Sequence, residues 1–405
     1  CHHSYSRWIE GTMKVLHIIP SIASKRGGPS TAIISMVRTL RLEGIDAAIL
    51  TTTDNAINQN QDYPLGKWFE KDGVPVIMFP VASSNIRLLS EFLFSPGLSV
   101  WLFKNIRIYD MIHIHAIFSY PSTVSMMMAR FKRIPYVVRT IGQLNRWSLS
   151  QSTILKKIML AVVERGNLEN SVAVQVTSKN EKEDIEELNF NIKLLLLGLG
   201  VEIPEKDNFQ ILSTVNVDTT KFLFLSRLHP KKQLDKLLYA FSRIKRECPE
   251  YKWCLFIAGD GDEYYVKELH QLTTSLDLDD EILWMGHVQG LEKKLLFSNT
   301  DWFVLPSASE NFGISVAEAL SYGIPVIITE GVGVSELVEK YQAGMIAKDS
   351  TVHLASTLKT AISKPPEEMK NAATHLALEN FSWKKVVHHL INFYFESIQI
   401  GRAHV

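Results

Sequence analysis

The sequence predicts an α/β protein built from two doubly wound domains, each with a parallel sheet. Short apolar, β-branched runs alternate with longer amphipathic stretches, and this alternation occurs once in each half of the 405-residue chain. Strands separated by helices of ten or more residues imply right-handed crossovers and parallel pairing. The length also exceeds that of an ordinary single domain. We therefore expect two facing Rossmann-like domains, with ligands bound in the cleft between them.

The elements follow in order along the chain. A strand at Val15–Ile19 leads through a Gly-Gly-Pro loop into a helix from about Ser30 to Glu43. The other strands of the first half are predicted at Ala47–Thr51, Val74–Phe79, Met111–Ile114, Tyr136–Arg139 and Val172–Val176. Those of the second half are predicted at Phe222–Leu225, Trp253–Ile257, Ile282–Met285, Trp302–Leu305 and Val326–Ile328. An aromatic-rich pattern from Asn380 to Gln399 predicts a last helix, which we expect to return to the first domain.

Domain boundaries follow from the places where the alternation stops. Glycines, a proline and a polar run interrupt it near residues 199–216. We assign residues 13–200 to an N-terminal domain, 201–380 to a C-terminal domain and 381–399 to the returning helix. The ends, residues 1–12 and 400–405, do not resemble native termini, and we expect them to be foreign sequence.

Charge and cysteine usage restrict the partners and the compartment. Residues 13–200 carry 21 basic and 15 acidic residues (21 − 15 = +6), whereas residues 201–405 carry 21 and 27 (21 − 27 = −6). The N-terminal half is therefore expected to meet an anionic surface. Basic clusters are short, which argues against nucleic acid. Three cysteines without a metal-binding spacing, and no visible signal peptide, indicate the cytoplasm, or the inner face of the plasma membrane with peripheral contact through the N-terminal domain.

The most informative stretch holds two carboxylates eight residues apart, Glu310 and Glu318, with Gly313 and a new helix N-terminus between them. A helix N-terminus offers unpaired backbone N–H groups and the positive end of a dipole, which suit a phosphate. Flanking carboxylates suit sugar hydroxyls, so the stretch predicts a nucleotide-sugar site. For Glu318 an alternative stays open, because Ser315-Val-Ala-Glu318 matches a capping box.

Two basic residues of the same half support a phosphate site. Arg227 follows the strand that ends at Ser226, and Lys232 precedes a helix with Leu234 and Phe241 on one face. Cations at the end of a strand and the start of a helix are well placed to meet phosphates. The alternative is a pair of solvated basic residues.

Other motifs are weaker indications of chemistry. Asp260-Gly-Asp262 could hold a divalent metal, but it lies in a glycine-rich turn, where hydrogen bonding to the nucleotide or plain turn chemistry is the better interpretation. His113 and His115 share one face of a strand, as zinc ligands could, but no third ligand is near in sequence. We expect one of these histidines to pack in the core and the other to face the cleft. We predict no metal site.

In combination, these motifs resemble glycosyltransferase family 4, whose members are retaining enzymes of the GT-B architecture. The second-half motifs that carry the resemblance are Ser226-Arg227 with Lys232, Gly259-Asp-Gly261, Gly286-His-Val, Glu310-Asn-Phe-Gly with Glu318-Ala, and Gly323-Ile-Pro-Val. The first-half motifs are Gly27-Gly28-Pro29, His113-Ile-His115 and Arg139-Thr-Ile-Gly142. The resemblance covers nearly all of residues 13–397. Gln233 departs from it, because a glycine often follows the phosphate lysine of the family.

The resemblance implies a role for each matching residue. The catalytic set would be Glu310, His115, Arg227 and Lys232. The donor-binding set would be Gly28, Arg227, Lys232, Asn311, Phe312, Gly313, Ile314, Ser315 and Glu318. The acceptor side would include Gly27, Arg139 and Gly142. Glu310 would bind sugar hydroxyls, Glu318 the ribose, and His115 would reach across the cleft to the sugar.

The expected activity is transfer of a hexose from a UDP- or GDP-sugar to a hydroxyl of a lipid-linked or oligosaccharide acceptor in cell-surface polysaccharide biosynthesis. No cofactor is expected beyond the nucleotide-sugar co-substrate. Two alternatives stay open. A nucleotide-sugar epimerase of the same architecture would need no acceptor, and a non-catalytic protein would bind the nucleotide-sugar without turnover.

Overall fold

The structure of the protein is a computed structural model that describes residues 12–23, 28–53, 63–82, 91–204, 218–364 and 366–403, with side chains described to residue 399. The chain divides into two compact units. The first comprises residues 1–200 together with 383–405, and the second comprises residues 201–382. In the described part of the chain, no helix is both long and apolar enough to cross a membrane.

The first unit contains an eight-stranded sheet in the order β3-β4-β2-β1-β5-β6-β7-β8. Its strands are β1 Lys14–Ile18, β2 Asp46–Thr52, β3 Trp68–Lys71, β4 Val74–Phe79, β5 Met111–His115, β6 Tyr136–Arg139, β7 Ala173–Val176 and β8 Leu194–Leu196. Only β3 and β4 pair antiparallel among the described strands; all other neighbours are parallel.

Helices connect these parallel strands. They are α1 Gly28–Leu42, α2 Pro96–Asn105, α3 Tyr120–Lys132, α4 Arg146–Ser150, α5 Ile154–Met159, α6 Arg165–Glu169 and α7 Lys179–Glu186. A 3-10 turn covers Ile106–Ile108, and a π-helical turn, Leu160–Glu164, joins α5 to α6. The apolar side chains of the central strands are fully buried, as expected for a parallel sheet covered by helices.

The second unit contains a six-stranded parallel sheet in the order β11-β10-β9-β12-β13-β14. Its strands are β9 Thr220–Leu225, β10 Trp253–Ala258, β11 Ile282–Gly286, β12 Trp302–Leu305, β13 Val326–Thr329 and β14 Gly344–Ala347. Its helices are α8 Leu234–Glu247, α9 Glu263–Ser275, α10 Gly290–Ser298, α11 Ile314–Ser321, α12 Ser335–Tyr341, α13 Thr351–Ser363 and α14 Glu367–Leu376. A 3-10 turn, Pro230–Lys232, precedes α8, and a π-helical turn, Ala377–Phe381, follows α14.

The sequence-based prediction of two doubly wound parallel sheets is confirmed, and every predicted strand is present within one or two residues. Three short strands were not predicted: β3, β8 and β14. Each has three or four residues and lies at or next to a sheet edge. Such segments bury too few side chains to leave a clear pattern.

The last helix, α15, spans Trp383–Ala403 and belongs to the first unit. It begins three residues later than the predicted pattern, because Asn380 and Phe381 form the π-helical turn instead. Within the first unit, the Trp383 ring packs so closely on Gly200 that a Cβ at this glycine would overlap with the ring. The glycine is therefore required where the returning helix meets the end of the first stretch of chain.

Candidate active site

In the second unit, two glycines hold the loop that carries Arg227. The backbone of Gly259 and Gly261 runs against Ser226 and Leu228, and a Cβ at either glycine would overlap with a carbonyl oxygen of that stretch. The Leu228 N–H donates to the Asp260 carbonyl oxygen at 2.7 Å. Gly259 also has a φ of +136°, which side-chain-bearing residues rarely adopt. The loop after β9 is thus fixed by main-chain contacts.

Four basic residues follow β9 and form a cluster of positive charge: Arg227, His229, Lys231 and Lys232. The pKa of Lys232 is lowered to about 7 by burial and by the nearby charges of Lys231 and Arg227. Burial and Arg227 also lower the pKa of Lys231, and burial followed by Arg227 lowers that of His229. Mutual repulsion of this kind is relieved by an anion, so the cluster favours a negatively charged ligand.

Glu310 forms an ion pair with Lys232, and both side chains are mostly buried, at 23% and 12% exposure. The carboxylate of Glu310, in the loop after β12, thus has a charged partner within its own unit. This contact favours the charged form of Lys232 and opposes the effect of burial. The ammonium group therefore depends on a nearby anion, either this carboxylate or a ligand, to hold its proton.

Main-chain bonds bring the two partners together. The Ala308 N–H donates to the Lys231 carbonyl oxygen at 3.0 Å, which ties the loop after β12 to the Pro230–Lys232 turn. On the other side, the Glu310 N–H donates to the Gly331 carbonyl oxygen at 2.8 Å, and the Gly333 N–H donates to the Glu310 carbonyl oxygen at 2.8 Å. Glu310 is therefore held by the loops after β12 and β13 together.

The departure at Gln233 has a structural cost. Gln233 has a φ of +54° and lies between the Pro230–Lys232 turn and α8. A glycine adopts this left-handed conformation without steric cost, whereas other residues pay roughly 1–2 kcal/mol. The backbone is left-handed here although the residue is glutamine and not the glycine common in the family, so Lys232 lies just before α8.

Helix α11 begins beside Glu310 with an N-terminus that carries no side-chain cap. Its N-cap residue is Gly313, with a φ of +94° and no side-chain hydrogen bond. The capping-box interpretation is wrong, because the N-cap lies two residues before Ser315 and this serine is already inside the helix. Ile314 and Ser315 are half-buried at the first turn, while Phe312 is buried, and Asn311 is half-buried before it. The first-turn amides are thus positioned to bind an anion.

Glu318 lies in the second turn of α11 and pairs with a lysine that the sequence analysis did not single out. The Lys293 ammonium, on α10, donates to Glu318 Oε1 at 2.6 Å. Both side chains are about one-quarter exposed. No local signal marked Lys293, because it precedes its partner by 25 residues and comes from another helix. The pair fixes one oxygen of the carboxylate and leaves Oε2 outside this bond.

The Asp260-Gly-Asp262 triplet has a structural role in turn and cap. Asp262 is the N-cap of α9, where its carboxylate accepts from the N–H groups of Tyr264 and Tyr265 at 3.1 and 3.2 Å. Asp260 lies 3.7 Å from the ring of His287. The two carboxylates therefore have different partners within the fold, which agrees with turn chemistry, and hydrogen bonding to a nucleotide stays a prediction.

In the first unit, both His113 and His115 are fully buried, whereas the sequence predicted that one of them faces the cleft. His17 of β1 joins His113 and His115 of β5, and the three rings stack at centroid separations of 4.2–5.3 Å. His17 Nδ1 lies 3.0 Å from His115 Nε2, and His113 Nδ1 lies 2.6 Å from the Tyr394 hydroxyl of α15. His17 was missed because it lies 96 residues from its neighbour in sequence.

Burial holds this histidine cluster in the neutral form. The pKa of His17 is lowered to about 3 by burial and by the charge of Arg139, and the pKa values of His113 and His115 are also well below normal, chiefly through burial. One nitrogen from each ring could meet a metal ion, since the three lie within 4.8 Å of one another. The Arg139 guanidinium that disfavours protonation also opposes a divalent cation. We assign no metal to the cluster.

Arg139 is also fully buried, with 1% exposure, so it presents no surface of this unit to an acceptor. Burial lowers its pKa to about 10, and the carboxylate of Glu181 opposes that shift. Glu181 Oε1 accepts from the Gly142 N–H at 2.9 Å and from the Thr140 hydroxyl at 2.8 Å, which fixes the loop after β6. Gly28 begins α1, and Gly27 lies outside the described residues. The acceptor-side roles of these residues remain predictions.

The two parallel sheets and the basic cluster around Lys232 indicate a class of protein, and comparison with known families identifies that class. Residues 27–200 match the family described as "Glycosyl transferase 4-like domain", and residues 205–376 match "Glycosyl transferases group 1". The chain therefore belongs to the group 1, family-4-type glycosyltransferases, and its architecture is GT-B.

Individual relatives are distant but cover most of the chain. The chain is 23% identical to the alpha-monoglucosyldiacylglycerol synthase of Streptococcus pneumoniae over 92% of its length and 83% of the relative. It is 21% identical to the GDP-mannose:cellobiosyl-diphosphopolyprenol alpha-mannosyltransferase of Xanthomonas oryzae pv. oryzae, covering 96% and 99% of the two chains. The crystal structure of Anabaena Alr3699/HepE with UDP and glucose is similar in fold, with a TM-score of 0.71, 20% identity and coverage of 94% and 99%.

Proposed function

We propose that the protein is a retaining, metal-independent glycosyltransferase that moves a hexose from a UDP- or GDP-sugar to a hydroxyl of a lipid-linked or glycan acceptor in cell-surface polysaccharide assembly. The Lys232–Glu310 ion pair, set in a basic cluster beside the uncapped start of α11, is the observation that carries this proposal. Relatives support the acceptor class, since two are named for lipid-linked products or substrates. HepE, whose structures hold UDP and UDP-glucose, supports the donor class.

The basic cluster would bind the donor diphosphate. Lys232 and Arg227 supply the charge, and the first-turn amides of α11 supply hydrogen-bond donors, so the negative charge that develops on the leaving nucleotide is stabilised. When a diphosphate reaches Lys232, it takes the place of the Glu310 carboxylate as the counter-ion. Glu310 is then available to accept from the sugar hydroxyls, and Oε2 of Glu318 is available for the ribose.

The transfer itself would use the leaving group as the base. The bond between the anomeric carbon and the diphosphate oxygen breaks, and the acceptor oxygen bonds to that carbon on the same face. The acceptor proton passes to the departing phosphate oxygen. This route needs no enzyme nucleophile, and the family resemblance suggests it. His115 is not required to release or accept a proton in this scheme, and contact of its buried ring with the sugar would need a rearrangement of the first unit.

Thermal stabilisation by UDP, GDP, ADP and their sugar conjugates tests the donor site, since a ligand that binds only the native state raises the melting temperature, and a tighter ligand raises it more at the same concentration. We expect one base to give a clear shift, and Lys232→Met to reduce the affinity by roughly 10- to 100-fold, because charge-assisted contacts contribute about 1.5–3 kcal/mol. The matched control is Lys245→Met, which removes the Lys245–Glu281 ion pair of the same unit.

Equal loss in both lysine variants, or no shift with any nucleotide in the folded protein, would refute the donor site. Incubation with the bound nucleotide-sugar then separates the remaining alternatives. A changed sugar without an acceptor indicates an epimerase, and binding without product in the presence of lipid-linked and glycan acceptors indicates a binding protein. Activity that collapses with a chelator and returns with manganese would contradict the metal-independent route.

A further inference from the structure

Helix α5 of the first unit is apolar but almost uncovered. None of its six residues is buried, and Ile154, Leu155 and Ile158 are 78%, 49% and 54% exposed. Val162, in the π-helical turn that continues it, is 75% exposed. Single exposed aliphatic residues are common, but four within nine residues of one helix form a patch that water solvates poorly.

The segment is nevertheless a fixed part of the fold. At its start, the Thr153 hydroxyl caps the helix by accepting from the Lys156 N–H. At its end, the buried Glu164 accepts from the Thr123 hydroxyl of α3 and from the Asn167 side chain. The apolar residues between these anchors are therefore presented by a helix that is held at both ends.

The spacing places the four aliphatic residues on one side. At about 100° per residue, Ile154, Ile158, Val162 and Leu155 fall within an arc of roughly 100°. Lys157 lies about 60° beyond one edge of this arc and Lys156 about 100° beyond the other edge, and both lysines are exposed. An aliphatic stripe on one face, with lysines on the remaining faces, is the pattern of a helix that lies at a membrane surface and directs its ammonium groups to the lipid phosphates.

We infer that this stripe, Ile154, Leu155, Ile158 and Val162 with Lys156 and Lys157, docks the protein on an anionic phospholipid bilayer. The charge supports this partner, because the sequence has no acidic residue from Arg146 to Val163. Arg146 itself is paired with Asp184 and Glu187, so it adds no charge to the stripe. The inference deepens the proposed function and rests on it for the lipid-linked acceptor, which such a surface would keep close.

A second exposed patch gives the inference a built-in control. Phe103 on α2 and Phe131 on α3 are 54% and 72% exposed, with basic residues around them. There, however, Lys132 lies 3.7 Å from the centre of the Phe103 ring and 5.3 Å from that of Phe131. Both helices also bury one face, unlike α5. Along the chain, Phe131 lies before β6 and α5 lies after it. The stripe on α5 therefore follows the carboxyl end of β6, the end that leads to Gly142.

Flotation of the full chain with vesicles tests the stripe. We expect binding to vesicles of phosphatidylcholine with about 30 mol% phosphatidylglycerol, and much weaker binding to phosphatidylcholine alone. Ile154→Ser with Ile158→Ser and Val162→Ser should lower the vesicle affinity at least tenfold. The control variant, Phe103→Ser with Phe131→Ser, should retain the wild-type affinity. Because all five positions are exposed, the melting temperature should stay near that of the wild type.

The lysines are tested separately. Lys156→Gln with Lys157→Gln should weaken binding to the anionic vesicles, by about fivefold for each lysine, and leave binding to phosphatidylcholine unchanged. Raising the salt from about 0.1 to 0.5 M should produce a similar loss in the wild type. Lys104→Gln with Arg107→Gln, two changes near the control patch, should have little effect.

Several results would overturn the inference. The first is no binding of the wild type to the anionic vesicles. The second is a loss of vesicle affinity in the phenylalanine variant but not in the aliphatic variant. The third is a wild-type protein that is dimeric and an aliphatic variant that is monomeric, which would assign the stripe to contact with a second copy. Nucleotide-induced stabilisation of the same variants reports on the second unit separately. In the wild type, nucleotide binding without vesicle binding contradicts only the docking surface, and vesicle binding without nucleotide binding contradicts only the donor site.

Discussion

Each unit has a cluster of polar side chains at or just beyond the carboxyl ends of its strands. The histidine cluster of the first unit is uncharged, whereas the Lys232–Glu310 cluster of the second unit is charged. In the first unit, His17, His113 and His115 are fully buried and are held neutral by low pKa values. In the second, Lys232 and Glu310 are paired as ions, and Arg227 beside them is exposed. One cluster has lost its charge, whereas the other keeps it by pairing.

This difference in charge distinguishes a candidate binding site, at Lys232 and Glu310, from a group of core residues, the three histidines. A partly exposed ion pair can exchange one partner for a ligand of the same charge, so the proposed binding of a diphosphate would need little reorganisation of the second unit. A stacked set of neutral imidazoles offers no charge to exchange and no exposed atom to a ligand. The sequence alone made both clusters candidates; the structure makes only the second ready to bind an anion.

The largest expected effect would come from breaking the ion pair at its acidic member. Glu310→Gln removes the negative charge but keeps the shape, and we expect turnover to fall by about 10²–10³, as for the loss of a group that binds the reacting sugar in the transition state. Nucleotide affinity should change little. The assay is initial rate with a fixed donor and acceptor, and Glu281→Gln, which disrupts a comparable pair in the same unit, is the control. Turnover at the wild-type level would remove Glu310 from the site.

Acid should sharpen the contrast by destabilising the first unit. The pKa of His17 is about 3 in the folded protein, against 6.5 for an ordinary histidine in the unfolded chain. The unfolded state therefore binds more protons, and the free energy of unfolding falls as the pH drops below 6.5. The loss is roughly 1 kcal/mol per imidazole at about pH 5.5. Denaturant melts at several pH values measure it. His17→Gln should reduce the slope by one imidazole, and an unchanged slope would show that His17 is already charged.

Donor binding should weaken with rising pH because of Lys232. Its pKa of about 7 in the free protein is raised when a diphosphate binds, so the affinity falls above pH 7, by at most about tenfold per unit. Titration calorimetry with a nucleotide-sugar, in buffers of different ionisation enthalpy, should also detect proton uptake. Lys232→Arg stays charged and should flatten the profile. A wild-type affinity that is constant from about pH 7 to 8.5 would contradict the shifted pKa.

The smallest effect is expected at Gln233. Gln233→Gly relieves the left-handed strain but adds flexibility to the unfolded chain, so the free energy of unfolding should change by no more than about 1 kcal/mol. Thermal melts and nucleotide titration would show a nearly unchanged protein. A loss of several kcal/mol would mean that the glutamine side chain, and not the backbone turn, holds Lys232 in place.

The sequence predicted the two sheets because buried parallel strands leave long apolar runs, as at Phe222–Leu225 and Trp253–Ala258. It also predicted Arg227, Lys232 and Glu310 as one site, since all three follow strands of the same sheet. It missed the partners that come from a distance. His17, Lys293 and Glu181 occupy unremarkable local positions, and only the folded sheet and helices bring them to His115, Glu318 and Gly142. Glu318 was open to two interpretations because the start of α11 depends on Gly313 adopting a positive φ.

The turn at residues 259–261 determines which substitutions the chain should tolerate there in a saturation-mutagenesis experiment. Gly259 and Gly261 touch the backbone of the Ser226–Leu228 stretch, so almost every codon change at these two positions should be depleted. Asp260 between them supplies a carbonyl oxygen to Leu228, a contact that any residue can make. The survival profile should therefore read intolerant, tolerant, intolerant, and the acidic residue most open to being mistaken for a metal ligand would be the one that selection leaves free to vary.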